Sequence, residues 1–221
     1  MKDNASSKQL RCLITAGPTR EYFDPVRYIS NPSSGKMGFA LAAAAQSYGW
    51  QTCLITGPVN QVSPQGVDRI DVISSDDMFH MVQSKFHHFD ILIKTAAVSD
   101  CKPKYFYDKK LKKEFFKKSL EILPTKDILQ IVCSNKRSNQ FVLGFAAETD
   151  NLEYHALEKL KRKSMDAIAA NYIRPSDSAF GSDYNTLFVY HRNGSKTVIG
   201  PLDKCSIAEQ LIQWIAEVAV I

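Results

Sequence analysis

Short apolar runs alternate with longer amphipathic stretches along most of this 221-residue chain. Six runs of five or six residues have the length and the apolar character of buried strands. These runs are residues 11–16, 51–56, 69–73, 90–95, 140–145 and 166–170. Helical stretches follow most of them, and a last amphipathic helix is predicted over 206–220. Near the C-terminus, predicted strands at 186–190 and 196–198 flank Asn193-Gly194, a strong hairpin signal.

This alternation predicts a single α/β domain spanning residues 1–221. We expect a doubly wound, mainly parallel, Rossmann-like sheet with helices on both faces and an antiparallel hairpin at its C-terminal edge. Ser75-Asp76-Asp77 is predicted to cap a helix that runs to about residue 86, and residues 124–127 are predicted to open another. In such sheets the loops after the parallel strands gather at one edge, which is where ligands bind.

The first strand is followed by a long polar connection, which runs from residue 17 to a helix that starts near Lys36. Such connections usually take about 2–6 residues, and a long polar one is more often an active-site wall than filler. Its glycine spacing matches neither the dinucleotide fingerprint nor the Walker A loop. Arg27 and Asn31 have no obvious capping or core role there. Ser33 and Ser34 are candidates either for helix capping or for anion binding.

Positive charge is concentrated in one segment. Residues 102–118 hold eight lysines against two acidic residues, a balance of +6, so the rest of this +5 chain sums to −1. A solvated loop would explain the segment, and so would a lysine-rich flap or β-ribbon that neutralises a polyphosphate. Lys159 and Lys163 lie one helical turn apart and are candidates for a second wall of the same anion site.

Composition narrows the class of protein further. The chain is 44% hydrophobic and 23% charged, which is ordinary for a globular domain, and it has no apolar run long enough to span a membrane. No signal peptide is visible, so we expect a cytoplasmic protein with no membrane partner. The five cysteines form no C-x-x-C, which argues against a disulfide framework or a zinc site. The five histidines lie in no catalytic motif, which favours a mechanism of positioned anions.

Several motifs in one order resemble the phosphopantothenoylcysteine synthetase family, also called phosphopantothenate–cysteine ligase. They are ITAGPTREYFDPVRYISNPSSGKMG, KTAAVSD, the K-x-K-K at Lys110, GFAAET, and the lysine-rich helix before DAIAAN. The resemblance covers nearly the whole chain. One departure is Pro18, where many members have a second glycine. Nothing in the sequence resembles the flavin-dependent decarboxylase to which this domain is fused in many bacteria, so a stand-alone synthetase is expected.

The resemblance implies a two-step ligation in coenzyme A biosynthesis. The carboxylate of 4′-phosphopantothenate attacks the α-phosphate of a nucleotide, usually CTP in bacteria, and L-cysteine then displaces CMP to form an amide. Mg²⁺ is the expected cofactor, with metal ligands unknown, because two anions must be held together. Family members dimerise and complete each other's substrate sites, so a homodimer is expected.

Residue roles follow from the resemblance by matching position. Asn31, Lys110 and Arg27 are implied as catalytic, with Asn31 holding the acyl intermediate, and Arg27, Asn31 and Ala97 as substrate-binding. The implied nucleotide-binding residues are Ser33, Ser34, Gly35, Thr95, Ala96, Asp100, Lys110, Lys126, Asp127, Ile128, Leu129, Phe145, Lys159 and Lys163.

Three alternatives stay open at this point. The first is an ATP-dependent version of the same ligase. The second is a nucleotide- or nucleic-acid-binding module that uses residues 102–118 as a basic arm, although the rest of the chain has no aromatic-interleaved basic patch. The third, an NAD(P)-dependent reductase, lacks the dinucleotide fingerprint. The concentrated charge favours one local anion site, so no nucleic-acid partner is expected.

Overall fold

A computed structural model describes residues 9–113, 119–173 and 184–219. Its centre is an eight-stranded sheet made of β1 (Arg11–Ala16), β4 (Gln51–Thr56), β5 (Asp68–Asp71), β6 (Ile91–Lys94), β9 (Phe141–Glu148), β10 (Ala167–Tyr172), β11 (Tyr184–His191) and β12 (Lys196–Asp203). The strand order is β12-β11-β10-β9-β6-β1-β4-β5. The six strands from β5 to β10 in that order pair in parallel, and β10-β11-β12 pair antiparallel. The predicted doubly wound sheet with a C-terminal hairpin is confirmed.

Five helices cover the two faces of the sheet within the described residues. They are α1 (Lys36–Ser47), α2 (Ser75–Phe86), α3 (Ile128–Asn135), α4 (Leu152–Arg162) and α5 (Lys204–Val218). The apolar sides of α1 and α5 pack on one face, and those of α2, α3 and α4 pack on the other. The central strands are therefore buried from both sides, as the unbroken apolar run Ile91-Leu92-Ile93 requires. Among residues 9–113, 119–173 and 184–219, no helix has the length and apolar character needed to cross a membrane.

Two small antiparallel pairs stand outside the main sheet, near the carboxyl ends of its strands. Strands β2 (Arg20–Tyr22) and β3 (Tyr28–Ser30) form a hairpin inside the long connection after β1, which the sequence analysis treated as a loop. Strands β7 (Cys101–Pro103) and β8 (Ile122–Pro124) pair at the base of the lysine-rich segment. The expected β-ribbon is thus present at this base, while residues 114–118 lie outside the described residues.

Two predicted helix starts need correction by a few residues. The N-cap of α2 is Ser74, not the predicted Ser75-Asp76-Asp77 cluster: its Oγ accepts from the Asp77 N–H at 3.1 Å and its N–H donates to the Asp77 carboxylate at 2.9 Å. This reciprocal capping box satisfies two orphan N–H groups at once. Similarly, α3 is capped by Asp127, whose side chain accepts from the Gln130 N–H, while Pro124 ends strand β8.

Candidate active site

A cavity of about 380 Å³, the first cavity, opens at the carboxyl ends of β1, β6, β9 and β10. This is the edge at which ligands bind in open α/β sheets. It brings together nine residues that were predicted from the sequence. They are Asn31, Ser33, Ser34, Gly35, Thr95, Ala96, Ala97, Asp100 and Phe145.

One wall of the first cavity is the N-terminus of α1. Its N-cap is Gly35, whose φ of 75° lies in the left-handed region that glycine adopts without strain. Among the described residues, no side chain forms a cap hydrogen bond at the start of this helix, and its first turn holds no acidic residue. The N-cap is thus neither Ser33 nor Ser34; the Ser33 Oγ accepts from the Gly35 N–H at 3.4 Å, and both serines line the cavity. A helix start of this kind favours an anion.

Gly38 brings that helix close to the strand ends. A Cβ atom at this position would lie 2.5 Å from the Cβ of Ala16 and 2.7 Å from the Oγ1 of Thr95. Both distances are shorter than any real contact, so only glycine lets α1 approach β1 and β6 this closely. The close approach places the α1 N-terminus and the end of β6 on the same cavity.

Asn31 ties the connection after β1 to the end of β6. Its Nδ2 donates to the carbonyl oxygens of Ala97 and Val98, at 3.1 and 3.2 Å. The same two segments are joined where the Ala97 N–H donates to the Gly17 carbonyl, and where the Ser99 N–H donates to the Thr19 hydroxyl. Asn31 therefore shapes the cavity wall in addition to lining it.

A second cavity of about 210 Å³ adjoins the first on the other face of the sheet. Asp100 lines both cavities and so marks where they meet. The second cavity contains five more of the predicted residues, grouped around the start of α3 and the end of α4. They are Lys126, Asp127, Ile128, Leu129 and Lys163.

Two of the lysines that line the second cavity, Lys163 and Lys126, contact other side chains. The ammonium of Lys163 lies 3.0 Å from the carboxylate of Asp127, and that of Lys126 lies 4.3 Å from the ring centre of Phe79. Burial alone would raise the pKa of Asp127, but its hydrogen bonds with Lys163 and with the Gln130 N–H outweigh this, and the pKa is lowered. The cavity thus holds an ionised Asp127 carboxylate next to Lys163, with Lys126 also on its lining.

Lys94, at the end of β6, also lines the second cavity, and its ammonium donates to the Ala96 carbonyl at 2.9 Å. Burial, with help from the nearby Lys163, lowers the pKa of Lys94 from its usual 10.5 to about 8. Between these two values the unfolded chain binds more protons than the folded one, so the contribution of Lys94 to stability should rise with pH.

We therefore expect the unfolding free energy of wild type, relative to Lys94→Met, to increase between about pH 8 and pH 10.5. Below pH 8 the difference should be flat, because Lys94 is charged in both states. Urea unfolding at several pH values measures it. The same comparison with Lys161→Met, which removes an exposed lysine of α4, should show no such rise. A flat profile for Lys94→Met would contradict the assigned pKa.

Three predicted residues line neither cavity. The side chain of Arg27 is paired with Asp24, and that of Lys159 lies 2.5 Å from the Glu148 carboxylate. Lys110 is exposed in the lysine-rich segment. All three roles stay predictions, since they depend on ligand contacts.

Sequence reasoning missed several polar residues of these cavities. Lys36, Asn171, Asn185 and Lys204 line the first cavity, and Lys94 lines the second. A signal existed for Lys204, because a lysine at the first position of a helix opposes the helix dipole and needs another reason to be there. Lys94 gave a similar signal, as a lysine at the end of an otherwise apolar buried strand.

Within the described part of the chain, no group of three or more His, Cys, Asp or Glu side chains is arranged to hold a metal ion. Asp100 is the carboxylate shared by the two cavities. This donor set fits Mg²⁺, which is commonly held by one or two carboxylates together with substrate phosphates.

Comparison with known proteins shows which family and which relatives this chain resembles. The family model described as the DNA/pantothenate metabolism flavoprotein C-terminal domain matches residues 7–219. The coenzyme A biosynthesis bifunctional protein CoaBC of Bacillus subtilis is 42% identical over 205 residues, which cover 92% of this chain and 50% of that protein. CoaBC of Escherichia coli K12 is 40% identical over 208 residues, covering 93% and 51%. The chain thus spans about half the length of these curated relatives.

A solved structure gives the same result at the level of the fold. The crystal structure of the C-terminal domain of a CoaBC protein superposes with a TM-score of 0.81 at 36% sequence identity. The match covers 94% of both chains.

Proposed function

The chain belongs to the DNA/pantothenate metabolism flavoprotein C-terminal domain family, and from this membership and the geometry of its cavities we propose that it is a phosphopantothenate–cysteine ligase. It would join 4′-phosphopantothenate to L-cysteine in coenzyme A biosynthesis. CTP would be the co-substrate, and an ATP-dependent version of the same reaction is the alternative. The names of the relatives support this pathway.

The observation that carries the proposal is the pair of adjoining cavities that share Asp100. One offers the N-terminus of α1, and the other offers Lys94, Lys126 and Lys163. Two polyanionic substrates have to meet in this ligation, and two anion-favouring cavities in contact provide the places for them.

The chemistry needs positioning more than it needs a side-chain nucleophile. A carboxylate oxygen of phosphopantothenate attacks the α-phosphorus of CTP, and pyrophosphate leaves with the bonding electron pair. The amine of cysteine then attacks the acyl carbon, CMP leaves, and the amine loses a proton to form the amide. Helix N–H groups and lysines at fixed positions stabilise the charge that develops on the phosphates.

Mg²⁺ is proposed as the cofactor that accompanies the nucleotide. Asp100 would hold it together with phosphate oxygens of CTP. When bound, Mg²⁺ neutralises phosphate charge and makes pyrophosphate a better leaving group.

A homodimer is proposed for the assembled enzyme. Apolar side chains are exposed on the β2–β3 hairpin and on the β7–β8 ribbon and the residues that follow β7. They include Val26, Tyr28, Tyr105, Phe106, Ile122 and Leu123, all more than 40% exposed. Exposed apolar groups on neighbouring segments favour burial against a second copy. Light scattering of the purified chain measures its mass in solution, and a monomer would contradict this part of the proposal.

Pyrophosphate release tests the function directly. The chain is given phosphopantothenate with CTP or ATP at equal concentration, with and without L-cysteine. We expect release that requires phosphopantothenate, is faster with CTP, and turns over fully only with cysteine. Faster release with ATP would favour the ATP-dependent version, and no release with either nucleotide would overturn the ligase.

Lys110→Gln provides a more specific prediction. If Lys110 contacts the triphosphate, losing its charge should lower kcat/KM for CTP about 10- to 100-fold, the usual value of a hydrogen bond to a charged group. Steady-state kinetics measure this, with Lys109→Gln as the neighbouring control, for which less than about threefold is expected. Equal effects of the two substitutions would show that only the overall charge of the segment matters.

A further inference from the structure

Asp24 is a fully buried carboxylate that lines neither cavity. It lies in the turn between β2 and β3, where its Oδ1 accepts from the N–H groups of Val26 and Arg27, both at 2.9 Å. Its Oδ2 accepts from the guanidinium of Arg27 and, at 3.2 Å, from the N–H of Leu111. The last bond joins residues 87 positions apart in the sequence.

The carbonyl of the same residue, Leu111, is also held. The guanidinium of Arg27 donates to the Leu111 carbonyl at 2.9 Å. One more bond connects the two segments, because the Tyr107 N–H donates to the Phe23 carbonyl at 2.9 Å. The backbone N–H and the backbone carbonyl of Leu111 are therefore both bound by the Asp24–Arg27 pair. Leu111 directly follows Lys110 in the chain.

Charge strengthens the hydrogen bond between Asp24 and Leu111, and the charge of the attached segment explains why such a bond is needed. Arg27 holds the pKa of Asp24 well below its usual range, so the carboxylate stays ionised and its bond to the Leu111 N–H is charge-assisted. The segment it holds is strongly basic, with Lys109, Lys110, Lys112 and Lys113 all exposed. Mutual repulsion of these lysines, and their repulsion from Arg27, would otherwise drive the segment away from the turn.

We propose that Asp24 is a positioning residue for the ligation, which anchors Leu111 and Arg27 to each other and thereby presents Lys110 beside the β2–β3 turn. Its kinetic consequence rests on the proposed function, while the anchoring itself does not. Without the anchor, the segment would occupy its working position in only a fraction of molecules. The apparent affinity for the nucleotide is then reduced in proportion to that fraction, while kcat at saturating nucleotide is unchanged.

Asp24→Asn tests the proposal, because it keeps the size of the side chain and removes its charge. We expect KM for CTP to rise about tenfold with kcat within about twofold of wild type. Asp71→Asn is the matched control: Asp71 pairs with Arg69 through two guanidinium nitrogens, at 2.9 and 2.7 Å, but is exposed on β5. It should leave both constants unchanged.

A second measurement does not depend on catalysis. Trypsin cleavage after Lys109, Lys112 and Lys113, without substrates, should be about tenfold faster in Asp24→Asn than in wild type or Asp71→Asn, since cleavage follows the population of the released segment. If wild type lacks ligase activity, the proposed function is wrong, and the cleavage rate still tests whether Asp24 anchors the segment. A wild-type cleavage rate in Asp24→Asn would overturn the proposal, as would a lower kcat at unchanged KM.

Leu111→Pro covers the case in which Asp24→Asn does not fold. It removes the backbone N–H of residue 111, which donates to the Asp24 carboxylate, and leaves the pairing of Asp24 with Arg27 in the turn. The same rise in KM for CTP and the same faster cleavage after Lys112 and Lys113 are expected. Wild-type values for both would overturn the proposal.

Discussion

Replacing Asp166 with asparagine should lower the free energy of unfolding by about 3–5 kcal/mol, the typical cost of breaking a buried ion pair. Asp166 lies directly before β10 and is 2% exposed. Its carboxylate accepts from Lys136 at 2.6 and 2.7 Å, from Arg192 at 2.8 Å and from the Val142 N–H at 2.8 Å. It thus links β9, the end of α3 and the β11–β12 turn.

The size of this effect depends on Lys136. Its side chain is only 12% exposed, so without the carboxylate its charge is left buried and without an ion-pair partner. Urea unfolding should show a lower midpoint with an unchanged slope. Glu158→Gln, which removes an exposed ion pair with Arg162 on α4, should change the unfolding free energy by less than about 1 kcal/mol. Similar losses in both variants would show that the Asp166 pair is no more important than a surface pair.

The parallel sheet could be predicted from the sequence because its strands are buried on both faces. Such strands appear in the sequence as short, mostly apolar runs without strict alternation, and the predicted 51–56 coincides with β4. The β2–β3 hairpin could not be predicted in the same way. Its strands have only three residues each, and it is held by distant partners, such as the Ile73 carbonyl that accepts from Arg20 and the Leu111 N–H that binds Asp24. These contacts are visible only in three dimensions.

The residues of the candidate site show the same difference between what topology predicts and what only three-dimensional contacts reveal. Residues at strand ends, such as Thr95, Asp100 and Phe145, line the first cavity because parallel topology brings the carboxyl ends together. The sequence shows no capping or core role for Arg27, yet its guanidinium is bound by Asp24 and by the Leu111 carbonyl. A pairing between residues 84 positions apart leaves no periodic signal in the sequence.

Asn31→Asp should lower the rate of overall ligation about 100- to 1000-fold, a loss comparable to removing one preorganised donor from an active site. The amide nitrogen of Asn31 donates to the carbonyl oxygens of Ala97 and Val98. Aspartate has no N–H to donate, and its charged oxygen would face two carbonyl oxygens at about 3 Å. The cavity wall would therefore open where the acyl intermediate is proposed to lie.

The control for this substitution is Asn135→Asp. Asn135 also donates from Nδ2 to a backbone carbonyl, that of Ile131 at 2.8 Å, but it is exposed at the end of α3 and lines neither the first nor the second cavity. Its ligation rate should stay within about twofold of wild type, since a surface hydrogen bond contributes little. Amide formation measured under saturating substrates separates the two variants. A ligation rate for Asn31→Asp close to that of Asn135→Asp would remove Asn31 from the reaction. The first cavity would then be a binding site whose reactive groups lie elsewhere, and Lys110 and Arg27 would be the next residues to vary.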